Sequence, residues 1–320
     1  MDQPMFNEFY GFSEEPFGLT PDLRFFFSTE NHREVIDSLI YGIEKKEGFI
    51  LLTGEIGVGK TTLIHQLLPM LGPAIQAIPI YRPPETFDGL LEVILQELHL
   101  PLQERNRSFM ISQLNNFLNQ KSARNETVVI ILDESQNLSK GVMEELRLLC
   151  TSDPRKPRRL KEIFVGRPQI EEKLRSEDLR QLNQRITTRR QLKPLTEEES
   201  SQYIEHRLNK VNTSAAEIFT SDAVSSICNY AKGIPRIINM VCYLVLSAGY
   251  VLSEKKVNWV IIKEVFAIVE SQNPWRRQRM ASLEASTERL GRSSLITMIS
   301  VLLWAYSVLA WITFFYLRLK

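Results

Sequence analysis

The stretch from Gly48 to Thr62, GFILLTGEIGVGKTT, leaves this chain few folds to choose from. Phe49-Ile50-Leu51-Leu52 is a short, wholly apolar run, as expected of a strand buried on both faces of a parallel sheet. It feeds straight into Gly54-Glu55-Ile56-Gly57-Val58-Gly59-Lys60-Thr61, which matches G-x-x-x-x-G-K-[ST] at every fixed position. Thr62 to Leu68 then reads as the start of a helix. In that setting backbone N–H groups and a helix N-terminus converge on an anion. Gly54, Gly57 and Gly59 remove the Cβ atoms that would block its approach. Lys60 places a compact positive charge on the β- and γ-phosphates of a triphosphate, and the Thr61 hydroxyl offers a ligand to Mg2+. The expected phosphate cradle is therefore Gly54 through Thr62. A glycine-rich turn matching by chance would lack the strand before it and the helix after it.

Thr127-Val128-Val129-Ile130-Ile131-Leu132 is a second buried run, and it ends in Asp133-Glu134. A central strand that delivers two acids to its C-terminal edge places them where open α/β sheets bind ligands. Asp133 is expected to hold Mg2+ through its water shell, and Glu134 to polarise an attacking water. The same pair would also cap a following helix, which is compatible with that chemistry.

With 320 residues, 43% of them hydrophobic, the chain buries a substantial core, which excludes general disorder. Its net charge of +1 gives no global attraction to nucleic acid. Cys150, Cys228 and Cys242 have neither metal nor disulfide spacing and read as buried thiols in a reducing compartment. The opening residues, MDQPMFNEFY, do not read as a signal peptide.

Residues 6–27 are aromatic and broken by prolines. They read as an ordered arm that docks on the domain following it, and that also closes over the adenine in a functional version of the same reading. A helix is expected over His32–Ile43, with Asn31 as N-cap and Glu34 at N3. Ala77–Tyr81 reads as a strand placed at an edge by Pro79. Thr86–Leu98, Phe109–Gln120 and Ser139–Thr151 carry helical periodicity. Arg155 to Lys161 is a basic, proline-broken loop, read as a solvated connection or as a contact for lipid or nucleic-acid phosphates. Ile163–Gly166 is another short strand. Arg180 and Arg185, farther on, are either surface charges or arginine fingers for a neighbouring subunit's γ-phosphate. From Thr196 the pattern is of consecutive helices, opened by a capping box at Thr196 and Glu199 and punctuated by Gly233 and Pro235.

Residues 272–292 are polar and carry Arg276, Arg277, Arg279, Arg289 and Arg292. Leu295 to Leu317 then contains no charge. At about 1.5 Å per residue it reaches roughly 35 Å, enough to cross a ~30 Å hydrocarbon core. The arginines before it predict that everything preceding the span faces the cytoplasm.

Together these residues resemble the AAA+ ATPases of the general secretion pathway protein A type and their type IV pilus relatives. The resemblance covers about residues 6–270. It rests on the Phe-Tyr-Gly-Phe opening, Pro16-Phe17, Thr20-Pro21-Asp22, and His32 with Glu34. It continues through the phosphate loop, Leu132 to Leu138, Glu145 to Leu149, Gly166 with Pro168, Leu179 to Ile186 and Gly233-Ile234-Pro235-Arg236.

The resemblance implies an α/β fold: a P-loop NTPase (AAA+) parallel-sheet core with an all-helical lid domain and a C-terminal transmembrane helix. The expected layout is an arm at 1–30, the nucleotide-binding domain at 31–192, the lid at 193–271, a basic linker at 272–294 and the membrane helix at 295–317. It implies ATP and Mg2+ as cofactors, with Lys60, Thr61, Asp133 and Glu134 as the two Walker motifs. Arg236 becomes the sensor 2 arginine, and Arg185, with Arg180 second, the trans-acting finger. The expected activity is ATP hydrolysis coupled to assembly of an envelope secretion or pilus system. Expected partners are further copies of the chain in a ring or nucleotide-bridged dimer, the inner membrane through a single pass, and an envelope-spanning protein. Nucleic acid is not among them.

Two features depart from the family pattern. Arg167 stands at the sensor 1 position, where a glutamine is expected, which implies either slow hydrolysis or sensing by another residue. The periplasmic peptidoglycan-binding region expected after the span is not in this sequence. The rival readings are a DNA-associated AAA+ ATPase of the transposition-helper type and a nucleotide-gated membrane scaffold with little turnover.

Overall fold

The computed structural model describes residues 6–45, 49–102, 106–150 and 160–271. Two compact units divide them. One comprises Leu19–Ser200 with Lys232–Ile237; the other comprises the described parts of Met1–Gly18, Ser201–Ala231 and Ile238–Lys320. The chain begins with α1 (Phe6–Tyr10), α2 (Glu30–Glu44), β1 (Phe49–Gly54), α3 (Lys60–Leu67), β2 (Ile75–Ile80), α4 (Phe87–Glu97) and α5 (Arg107–Ala123). It continues with β3 (Thr127–Leu132), α6 (Lys140–Leu149), β4 (Leu160–Gly166), α7 (Gln169–Leu174), α8 (Arg180–Arg185) and β5 (Ile186–Leu192). Helices follow: α9 (Glu197–Asn209), α10 (Ala215–Ile218), α11 (Ser221–Ala231), α12 (Pro235–Val251) and α13 (Trp259–Ser271).

The first unit is built on a five-stranded sheet in the order β2-β3-β4-β1-β5, with every neighbouring pair parallel. The apolar runs occupy its interior strands. All of β1 is buried, and Val128 to Leu132 of β3 are buried with it. Successive side chains alternate between two cores. Phe49, Leu51, Val128, Ile130 and Phe164 pack with residues of α4, α5 and α6 on one face. Ile50, Leu52, Val129, Ile131 and Val165 pack with α2 and α3 on the other. β2 is an edge strand, as Pro79 requires, because a residue without an N–H costs least where one side of the strand is unpaired.

Several local expectations are corrected. The N-cap of α2 is Thr29, whose hydroxyl accepts from His32 N–H while the His32 ring accepts from Thr29 N–H. His32 does the work assigned to an acid at N3, and the Asn31 side chain instead accepts from Lys193 N–H at 3.0 Å. β5 has no counterpart in the sequence reading. Its ITTRRQL pattern pairs only with β1 and leaves Thr187, Arg190 and Gln191 exposed, so it carries no apolar run. Lys161, grouped with the basic loop, is fully buried within β4 and adds no charge to the surface. Residues 155–159 of that loop lie outside the described residues, as do the linker and the 295–317 segment. Among the described residues no helix is long and apolar enough to cross a membrane.

The second unit is all helical, apart from a single β-bridge between Phe219 and Val257. Its core includes Leu208, Ile227, Val241, Cys242, Val245, Ile262 and Val265. The first part of the aromatic arm belongs to this unit rather than to the α/β unit that follows it in sequence. The Phe6 ring meets Tyr243 edge-on at 5.3 Å and Phe9 meets Tyr250 at 5.5 Å. The Tyr10 hydroxyl donates to the carbonyls of Leu246 and Glu254, each at 3.2 Å. Buried Arg207 ties the arm down by donating to the Pro16 carbonyl and to the Tyr203 hydroxyl, the latter at 2.6 Å. Cys150, Cys228 and Cys242 are all buried thiols, not disulfides.

Candidate nucleotide site

β1 ends at Gly54 and α3 begins at Lys60, so the loop between them lies at the C-terminal edge of the sheet with a helix N-terminus pointing into it. Gly57 has φ +83° and Gly59 φ +102°, conformations that side-chain-bearing residues rarely adopt. Gly57 also passes close to Arg236: a Cβ added there would lie 2.8 Å from the Arg236 Cβ. The loop backbone is tied at this point, because Arg236 N–H donates to the Gly57 carbonyl at 3.2 Å. Glu55 and Ile56 are exposed at the loop tip, Val58 is buried beneath it, and Thr61 and Thr62 are half-buried on the first turn of α3.

Lys60 is buried, and its Nζ donates to the carbonyls of Gly54 at 2.8 Å and Glu55 at 3.0 Å. Burial pulls its pKa down from the ordinary lysine value, while Asp133 and Glu134 oppose that shift. Asp133 follows directly on β3, two strands across from β1 at the same edge of the sheet. The Thr61 hydroxyl donates to its Oδ2 at 2.6 Å, and Glu134 N–H donates to its Oδ1 at 2.8 Å. Burial pushes the Asp133 carboxyl above its usual range, and those two hydrogen bonds restrain it. The sheet therefore brings together, from segments 72 residues apart, a lysine, a hydroxyl and a carboxylate. A hydroxyl and one carboxylate are hard oxygen donors of the kind that bind Mg2+ when phosphate oxygens and waters complete the shell. Among the described residues no cluster of three or more His, Cys, Asp or Glu offers a separate all-protein metal cage.

Glu134 follows in the left-handed region, at φ 53° and ψ 32°, which costs a residue with a side chain about 1–2 kcal/mol. Its carboxylate is engaged: Gln136 Nε2 donates to Oε2 at 2.6 Å, and Arg167 pairs with the same oxygen at 3.6 Å. Gln136 Oε1 accepts from Arg167 N–H at 3.0 Å, and the Gln136 carbonyl accepts from Lys173 Nζ at 2.6 Å. The sequence reading gave no role to Gln136 or Lys173. Their signal was weak, a polar residue two places after an acid and a lysine on a short helix. Arg180 is exposed at the start of α8, Arg185 is half-buried at its end, and Arg236 is exposed.

A profile of the AAA domain matches residues 43–174, the segment that carries both strand ends. General secretion pathway protein A of Aeromonas hydrophila is 34% identical over 254 residues, which cover 79% of this chain and 46% of that protein. The chain belongs to the AAA family of the general secretion pathway protein A type. It spans about half the length of that relative. As an AAA protein it also shares its fold with solved structures of low identity. The ORC2 protein of Aeropyrum pernix, solved as ADPNP-ADP complexes, matches with a TM-score of 0.57 at 14% identity, over 85% of this chain and 84% of that one. The RuvB branch migration motor of Thermotoga maritima matches with a TM-score of 0.53 at 19% identity, over 89% and 86%. At these identities the likeness is one of fold alone.

Proposed function

We propose that the chain is a membrane-anchored ATPase that binds and hydrolyses ATP with Mg2+ to drive assembly of an envelope secretion or pilus system. The observation that carries the nucleotide half of this reading is the 2.6 Å contact between the Thr61 hydroxyl and Asp133, beside the buried Lys60. Lys60 exchanges its bonds to the Gly54 and Glu55 carbonyls for the β- and γ-phosphates. The loop N–H groups and the N-terminus of α3 hold the remaining phosphate oxygens. Thr61 and Asp133 would hold the Mg2+, which neutralises charge building on the transferred group. Glu134 orients and polarises the attacking water, and Arg236 reaches the nucleotide from its place beside Gly57. Arg185, seconded by Arg180, acts on a neighbouring copy. ORC2, solved with ADPNP and ADP, supports a nucleotide as the ligand of this fold. The relative's name supports secretion, and the uncharged 295–317 segment supports anchorage in the inner membrane with the ATPase on the cytoplasmic side.

The test is Mg2+-dependent phosphate release by the full chain in membranes, with Glu134→Gln alongside. The reading expects turnover in the first and its loss in the second, with the protein in the membrane fraction. Turnover unchanged by Glu134→Gln, or a wholly soluble full-length chain, contradicts it. A second reading, a nucleotide-gated scaffold with little turnover, is favoured by the pairing of Arg167 with Glu134.

A further inference from the structure

We propose that the outward face of α13, together with Lys255 and Lys256 just before it, rests on an anionic phospholipid surface. This builds on the anchored reading above and adds to it a second, reversible contact. Three observations carry it.

The first is that α13 is apolar on both sides. Ile261, Ile262, Val265 and Ile268 are buried in the core of the helical unit. Phe266 stacks on Tyr230 of α11 at 4.3 Å, which fixes the helix in place. The side turned away carries Trp259, Val260, Lys263 and Ala267, all exposed and all on one stripe of the helix. Trp259 is 48% exposed and Val260 65%. The outward stripe of a helix packed on one side is ordinarily polar, and an apolar one marks a surface that another body covers.

The second is that the stripe is held in place. Val257 is buried and bridged to Phe219, and its N–H donates to the Ile218 carbonyl at 2.7 Å. Asn258 caps the helix, its Oδ1 accepting from Val260 N–H at 2.9 Å and Ile261 N–H at 3.3 Å. Trp259 therefore enters a contact without the entropy cost of ordering a loop.

The third is charge, which favours lipid over other apolar partners. Lys255, Lys256 and Lys263 are exposed on either side of the Trp259–Val260 pair, against exposed Glu254 and half-buried Glu264. Lys255 Nζ lies over the Phe9 ring at 5.7 Å, which steadies the side chain and leaves its charge. From Lys255 to Arg292 eight lysines and arginines stand against four glutamates, in a chain whose net charge is only +1. Tryptophan among lysines suits a bilayer interface: the indole sits at headgroup level, and the amines meet lipid phosphates. A second copy docked face to face would instead set lysine against lysine. Residues 272–294 join α13 to the uncharged 295–317 segment. Even fully extended, a stretch of that length reaches no more than about 80 Å, so a span at 295–317 keeps the stripe near the bilayer. At such a local concentration a weak surface suffices.

The test uses the full chain in vesicles of phosphatidylcholine, alone or with phosphatidylglycerol at about one lipid in three. An environment-sensitive fluorophore is placed on Ala267→Cys, at the edge of the stripe; the three native thiols are buried. Lipid carrying a nitroxide headgroup is expected to quench it roughly fivefold more in the anionic vesicles than in the neutral ones. Reversing the charge with Lys255→Glu, Lys256→Glu and Lys263→Glu is expected to remove that difference while the protein stays in the vesicle pellet. Raising the salt is expected to weaken the quenching with all three lysines in place, a readout that needs no charge-reversed variant. Quenching that is absent, or equal in neutral and anionic vesicles, overturns the proposal. Quenching that follows protein density at fixed lipid composition assigns the stripe to a second copy and overturns it too. A full chain missing from the pellet overturns the anchored reading itself, a separate result, and this inference with it.

Discussion

Glu162 lies fully buried in the middle of β4, with the Cys150 thiol donating to its Oε1 at 3.3 Å and Oε2 meeting no partner among the described residues. Burial pushes its pKa from 4.5 up to about 8, against a small opposing effect of the thiol. The folded chain therefore keeps a proton there that the unfolded chain loses above pH 4.5. The stabilisation this group gives is fully present below pH 4.5 and is lost as pH rises through about 8. Denaturant unfolding at pH 5 and pH 8.5 is expected to show lower stability at the higher pH, and Glu162→Gln to reduce that difference. An identical pH dependence in the variant contradicts the assignment. Nothing in the sequence marks Glu162, because Lys161-Glu162 reads as a charged pair leaving a loop. Both are buried only because apolar residues on either side commit the whole run to an interior strand. The grouping of Lys60, Thr61 and Asp133 was legible because strand, loop and helix follow one another in a rigid local order. Gln136 was not, since its role depends on Arg167, which only the pairing of β3 with β4 brings near.

Among the elements, the interior strands β1 and β3 and the Ile163–Gly166 half of β4 were readable as apolar runs, and the longer helices by their periodicity, whereas the first half of β4 and the short helices α1, α7, α8 and α10 were not. β5 was not, because an edge strand with one partner needs no continuous apolar surface. The Thr29 cap was missed because a histidine ring replaced the expected acid in the capping box, whereas the box of Thr196 and Glu199 was legible because both residues are of the usual type. Turn glycines are tested directly. Gly233 has φ +73°, and a Cβ there would sit 1.9 Å from the Leu195 carbonyl oxygen, which is backbone and cannot swing away. Gly233→Ala is expected to destabilise the α/β unit by about 3 kcal/mol or more. Gly59, also at positive φ, has nothing within 4 Å of an added Cβ, so Gly59→Ala is expected to cost only the backbone strain, about 1 kcal/mol. Equal unfolding midpoints for the two variants contradict this ranking.

At the scale of the whole molecule, the arm is held in the helical unit by Tyr10, Arg207 and their backbone partners. Arg207→Ala is expected to destabilise that unit by about 2–3 kcal/mol, because it removes a charged donor from a buried carbonyl and a hydroxyl. Limited proteolysis near residues 10–18 reads out the loosening, and unchanged protection argues against the tether. Assembly is tested at Arg185, where Arg185→Ala is expected to keep ATP binding and lose hydrolysis at protein concentrations that favour oligomers. Full turnover removes Arg185 from the trans role. The change from strands to consecutive helices near Thr196 was legible, whereas the compact units divide after Ser200 and return Lys232–Ile237 to the first, a division the sequence pattern does not mark. That the arm packs with the second unit was not legible either, because aromatic side chains do not advertise which apolar surface they will meet. The central claim is that main-chain amides of residues 54–61 and the buried Lys60 hold the phosphates of a nucleotide. Calorimetric titration of Mg-ATP into the full chain and into Lys60→Ala tests it most directly. Binding by the first, weakened roughly 100-fold or more in the second, is the expected result; equal affinity in both contradicts the account.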